Sequence, residues 1–159
     1  MPMSKRNSGE DSGNPRVHSG SIKIVCVKQP WAWLIVAGHK DIENRSWATT
    51  HRGPLLISAS AHRLSGLDLE DVVAYARARG VEIPIDQLHY GGVIGRASVT
   101  ECVYRHNSRW FMGPVGWVLS DAAQLPFVPV RGRLTLFDAP AHVLEALKLP
   151  AAVPPRFDP

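Results

Sequence analysis

Apolar and polar residues alternate from Ser21 to Val27, with Ile22, Ile24 and Cys26 set against Lys23, Val25 and Val27. A period of two predicts a strand. Pro30 then suits the first turn of a short helix over Trp31–Ala37, which Gly38 stops. Trp31 and Trp33 stand two apart on that helix and cannot share one face, so one is expected in the core and the other at a cleft or the surface. Asp41–Trp47 reads as a short strand with Ile42 on one face and Glu43 and Arg45 on the other. His51-Arg52-Gly53-Pro54 is a turn, and Leu55–Ala59 a buried strand. The clearest helix is Ser65–Arg79, where Leu69, Val72, Val73 and Ala76 repeat on one face. Asp68 stands at capping-box spacing from Ser65, and Gly80 ends the helix. Its charged residues, Glu70, Asp71, Arg77 and Arg79, are expected in solvent. Gly92–Val103 predicts a long strand with a bulge or kink at Gly95. Val115–Leu119, Phe127–Val130 and Arg133–Phe137 supply three more. Short strands around few helices, with Gly and Pro corners, suggest a small β-barrel with helices on its outside or mouth.

The ends differ from this pattern. Residues 1–21 are rich in Ser, Gly, Asn and charge and are expected to form a disordered leader. His18-Ser19-Gly20-Ser21 has the look of a linker. The folded domain is expected over 22–149, followed by a loose tail over 150–159 that carries Pro150, Pro154, Pro155 and Pro159. The whole chain has 159 residues, 45% hydrophobic and 20% charged, which suits one globular domain and excludes a mainly disordered or collagen-like chain. No apolar run has the length of a membrane span or the make-up of a signal peptide. The two cysteines, Cys26 and Cys102, sit in strand-like apolar runs and read as small buried residues. A disulfide scaffold or a Cys-based zinc site is not expected, and a reducing cytoplasm is the natural location. No cofactor is expected, and no His/Asp/Glu cluster has ligand spacing for a metal.

Charge changes the picture by its placement. The chain carries 18 Lys and Arg, 14 Asp and Glu, and a formal net charge of +4. Residues 22–63 hold six basic and two acidic residues, so this stretch alone carries +4. It is either a binding face for an anionic partner or a plain solvated surface. The same stretch holds the densest chemistry, with Gln29-Pro30-Trp31 at a strand-to-helix junction, then Lys40, Glu43 and Arg45 just after a glycine turn, then Trp47 and Arg52. Aromatics that can stack beside cations that can meet phosphate is a combination used by nucleotide sites. Equally, Glu43 and Arg45 share a strand face and can form an ordinary salt bridge.

Gly38-His39-Lys40-Asp41-Ile42-Glu43-Asn44-Arg45 matches G-x-K-x-x-E-x-R, and in this the chain resembles the activating-signal-cointegrator homology (ASCH) domains, a branch of the PUA-like superfamily. The likeness continues through Gln29-Pro30-Trp31-Ala32, Arg52–Ser60, Val93-Ile94-Gly95 with Glu101-Cys102-Val103, Trp110-Phe111 with Gly113–Trp117, and Phe127–Phe137. Six segments in order carry it, from about Ile22 to Phe137. The resemblance implies an α+β, PUA-like fold: a small, mostly antiparallel β-barrel with two to three helices packed beside it. It also implies a basic, aromatic-walled cleft around the motif that binds RNA, a nucleotide or a modified nucleoside, with DNA as a variant, and no membrane role. Lys40 and Arg45 would contact phosphate, Glu43 would accept hydrogen bonds or take a proton, and Trp31, Trp110 and Trp117 would wall the cleft. The candidate nucleic-acid contacts are completed by Lys28, Gln29, Trp47, Arg52, Ser60 and His62.

An enzyme is the alternative. Some small bacterial ASCH proteins resemble amidohydrolases of an N-acetylated cytidine, with a Thr nucleophile where this chain has Glu43, which cannot repeat hydroxyl chemistry. Their second Glu has no matching motif position in this chain, and Glu101 is only a stand-in for it. A metal-independent ribonuclease would use Lys40, Glu43 and Arg45 as catalytic residues, with His51 or His62 as the alternative base. Both histidines read more simply as surface or capping residues. Arg131 and Arg133 read as solvating a barrel edge. The loop of Arg105, His106 and Arg109 either lines the cleft mouth or lies in solvent.

Overall fold

A computed structural model describes residues 21–151. The expected leader up to residue 20 and the tail from residue 152 lie outside the described residues. The elements run β1 (Lys23–Val27), α1 (Trp31–Val36), β2 (Ile42–Arg45), β3 (Gly53–Ala59), α2 (Gly66–Arg77), β4 (Gly92–Val103), β5 (Val115–Pro129), β6 (Phe137–Asp138) and α3 (Ala141–Ala146). They build one six-stranded sheet in the order β2-β5-β4-β3-β1-β6. β1 and β3 pair in parallel, and every other pair is antiparallel.

Both faces of the sheet are covered. Val25 and Val27 of β1 alternate with Ile24, and Leu55, Ile57 and Ala59 of β3 alternate with Leu56, so each strand feeds two cores. One core packs Ala32, Ile35 and Val36 of α1 against the sheet, and the other packs Val143 of α3. A third places Val72 and Ala76 of α2 beside Leu34 and Ile42. Gly95 fulfils its expected role, because a Cβ there would lie 2.4 Å from the Ala123 carbonyl and 2.6 Å from Val36 Cβ. Its missing side chain lets α1 and β5 close on β4, and the β4–β5 register shifts at this point.

The expected barrel does not close: β2 and β6 are the two edges, and no ladder joins them. The strand expected over Arg133–Phe137 shrinks to Phe137–Asp138. A Cβ on Gly132 would lie 2.7 Å from Cys26 Sγ, so residues 131–134 cross close over Cys26 instead of pairing alongside it. Two strands expected at 115–119 and 127–130 are one, β5, with Asp121 at φ 51° inside it. The bulged middle breaks the period of two, which hid the continuity from the sequence. Pro126 is tolerated there because β2 pairs only with Val115–Val118, leaving the later part of that edge free. In α2 the expected capping box is absent, since Ser65 holds the N-cap backbone geometry without a side-chain cap hydrogen bond. Gly38 and Gly80 end their helices with φ of +84° and +79°.

Candidate functional site

The missing ladder places the site. β6 pairs with only Lys23 and Ile24 of β1, so the outer edge of Cys26 is not laddered. The sheet curls until β2, first in the strand order, faces that edge of β1. Arg45 of β2 spans the opening, with its Nη2 donating to the Cys26 carbonyl at 2.7 Å. A cavity of about 320 Å³ occupies the opening.

β2 is only Ile-Glu-Asn-Arg, and its alternation assigns every side chain a task. Ile42 is fully buried against Leu34 and α2 and pins the strand. Asn44 tethers the following loop: its Nδ2 donates to the Trp110 carbonyl, and its Oδ1 accepts from the Met112 and Gly113 amides. Glu43 and Arg45 lie on the opposite face and line the cavity. Glu43 is 7% exposed; one carboxylate oxygen meets Lys40 Nζ at 3.2 Å and the other Arg45 Nη2 at 3.5 Å. Lys40, 3% exposed, also donates to the Ile42 carbonyl at 2.6 Å. Lys40, Glu43 and Arg45 therefore form a chain of alternating charge, buried at Lys40 and Glu43 and half-buried at Arg45. Arg45 Nε is buried without a hydrogen-bond partner among the described residues.

Of the three expected aromatic walls, Trp31 alone lines the opening. It also lines an adjoining cavity of about 280 Å³ with Lys40, Met112 and Gly113, and Glu43 and Asn44 border both spaces. Trp110 and Trp117 belong to the core and do not wall the cleft. Trp117 is inward on β5 with Val115 and Leu119, and Trp110 packs by Tyr75 and under the Arg79 guanidinium. Trp47 is half-buried, edge-on to Trp117 at 4.8 Å. Gln29 is buried, with its amide used to brace the chain: Oε1 accepts from the Trp33 amide and Nε2 donates to the His89 carbonyl. Lys28 and Ser60 line the opening. Arg52 does not; it donates to the Thr49 and His51 carbonyls beside a different surface cavity. His62 and Glu101 are exposed and border neither space, and His51 bonds the Pro54 carbonyl. Arg105, His106 and Arg109 also stay clear of both cavities. Among the described residues no group of three His, Cys, Asp or Glu side chains could hold a metal ion, and no helix is long and apolar enough to cross a membrane.

The model of one family, the ASCH domain, matches residues 25–118, more than half of the chain. The chain belongs to the ASCH domain family. It is 39% identical over 80 residues to human activating signal cointegrator 1, and 38% identical over 78 residues to the mouse protein. Those stretches are 48% and 47% of this chain but only 14% and 13% of the two relatives, so this ASCH domain corresponds to a small part of each. The fold is shared with crystal structures of an ASCH protein from Zymomonas mobilis. The TM-score is 0.52 at 13% identity, over 80% of this chain and 94% of that one. A point mutant of the same protein gives 0.53 at 13% identity, over 81% and 97%.

Sequence reasoning missed part of the lining of this opening. Arg133, read as a barrel-edge residue, lines the opening together with Leu134, whose side chain is 92% exposed at the rim. The available signal was Gly132, a glycine between two arginines that marks a close backbone crossing. Cys26, read as a small buried residue, also lines the opening. Burial pushes its thiol pKa up, against the lowering pull of the Arg45 guanidinium and of a hydrogen bond with the Ser60 hydroxyl. A raised pKa leaves less thiolate at neutral pH. Iodoacetamide should therefore alkylate Cys26 at pH 7 more slowly than it alkylates free cysteine, and the rate should climb as pH passes above the ordinary thiol range. Peptide mapping by mass spectrometry separates Cys26 from Cys102, and labelling at or above the free-thiol rate would contradict this account.

Proposed function

We propose that this ASCH domain binds RNA, with a phosphate seated in the opening between β1 and β2. The ASCH family is generally RNA-binding. The observation that carries the reading here is the charge of the cavity lining. Lys28, Arg45 and Arg133 face it against one carboxylate, and that carboxylate is already engaged by Lys40 and Arg45. Guanidinium groups suit the two-pronged geometry of phosphate, and Trp31 offers a face on which a base can stack. Binding without turnover fits better than hydrolysis. Both oxygens of Glu43 are occupied, and among the described residues no histidine lines either cavity.

Fluorescence anisotropy of a labelled RNA oligonucleotide across a salt series tests this. Affinity should fall steeply with salt, and Lys28→Ala and Arg133→Ala should each lower the log–log slope by about 0.7. Arg52→Ala, beside a different cavity, should leave the slope unchanged. Equal slopes in the Lys28, Arg133 and unsubstituted proteins would remove the cleft from the account.

A further inference from the structure

Gln29 and Trp33, which alternate with the cleft residues Lys28 and Trp31 along the strand-to-helix junction, face a separate cavity of about 400 Å³. That volume lies in the range of small-molecule sites. Among the described residues its lining carries no Lys, Arg, Asp or Glu, and His89 is its one titratable side chain, so an ion gains no fixed counter-charge there. Val36 and Ile94, both buried, give it apolar surface. The Trp33 ring contributes one aromatic surface, and Phe127 stacked with His89 another, with centroids 5.0 Å apart and planes at 17°. Phe127 holds this place because residue 92 is glycine: a Cβ there would lie 2.7 Å from its ring. The Gln29 amide binds the backbone of both Trp33 and His89, which fixes two of the aromatic carriers to one another. The polar groups offered to a ligand are the exposed side-chain amides of Gln87 and Gln124, each presenting a donor and an acceptor.

We infer that this cavity is a second ligand site, for an uncharged planar heterocycle with an amide-like edge. Flat faces meet Trp33 and Phe127, and paired donor and acceptor groups meet Gln87 and Gln124. The site is independent of the cationic cleft. NMR titration of the full chain with nicotinamide, uracil and nicotinate, at up to about 10 mM, tests it, since lone small ligands bind in the millimolar range. Nicotinamide or uracil should shift the backbone amides of 87–89 and 124–127. Nicotinate, the same shape bearing a carboxylate, should bind at least about tenfold more weakly. Gln124→Ala should weaken nicotinamide or uracil binding about tenfold with the amide spectrum otherwise intact, and Lys28→Ala should not affect it. The inference is overturned by silence of both neutral probes, by equal binding of nicotinate, or by shifts confined to residues 26–31 and 43–45. RNA binding through Lys28 and Arg133 stands or falls separately.

Discussion

Glu43→Gln should destabilise this ASCH domain by about 3–5 kcal/mol, although the replacement has almost the same size and shape. The cause lies in Lys40, whose ammonium is buried and whose one counter-charge among the described residues is the Glu43 carboxylate. The Ile42 carbonyl would still accept a hydrogen bond from it, but the positive charge would be left uncompensated away from water. Urea unfolding followed by circular dichroism measures the loss. Lys40→Met in the same background should recover most of it, because a buried pair is replaced far more cheaply as a unit than one partner at a time. An unfolding midpoint unchanged by Glu43→Gln would mean that the pair is solvated and the description of the site is wrong.

The second large effect is expected at Trp117. Its side chain is fully buried between Val115 and Leu119, edge-on to Trp47, with its indole N–H donating to the Trp47 carbonyl at 3.3 Å. The Arg45 guanidinium lies over the ring at 5.7 Å. Trp117→Ala removes this packing, leaves a cavity and strands the Trp47 carbonyl, at a cost of about 3–5 kcal/mol. That is a large share of the stability of an ordinary domain. The thermal midpoint should drop by more than about 10 °C, and Trp117→Phe should recover part of the loss. RNA affinity per folded molecule should fall as well, since Arg45 loses the surface that supports it. A drop of only a degree or two would return Trp117 to the role of an exposed stacking wall.

These two residues also show what could be read without coordinates. Three residues of the motif Gly38–Arg45 do converge, because a four-residue strand with strict alternation leaves few other arrangements. What the pattern does not carry is depth. Lys40 and Glu43 look like surface charges in a sequence, since burial of a charge pair depends on the elements that fold over it. Trp110 and Trp117 look like stacking walls because an aromatic side chain suits a core and a cleft equally well. Most strands were legible from their alternation, but the opening left between the sheet's two edges was not. It depends on the crossing of residues 131–134 over Cys26, a contact between segments more than a hundred positions apart. Arg133 reaches the cleft only through that crossing.

The opening bridged by Arg45 has a mechanical consequence. Along this line the girth of the domain is set by a side chain, not by a backbone ladder. Parting two laddered strands would expose a row of amides and carbonyls, all of which need new partners. Releasing Arg45 from the Cys26 carbonyl gives up one hydrogen bond, a net difference of about 0.5–1.5 kcal/mol, together with its ion pair to Glu43 and its place over Trp117. A guest wider than the resting gap can thus be admitted by a rotamer change while β3, β4 and β5 keep their pairing. The width of the opening is tied to one rotamer of Arg45, and the frame of the domain is not.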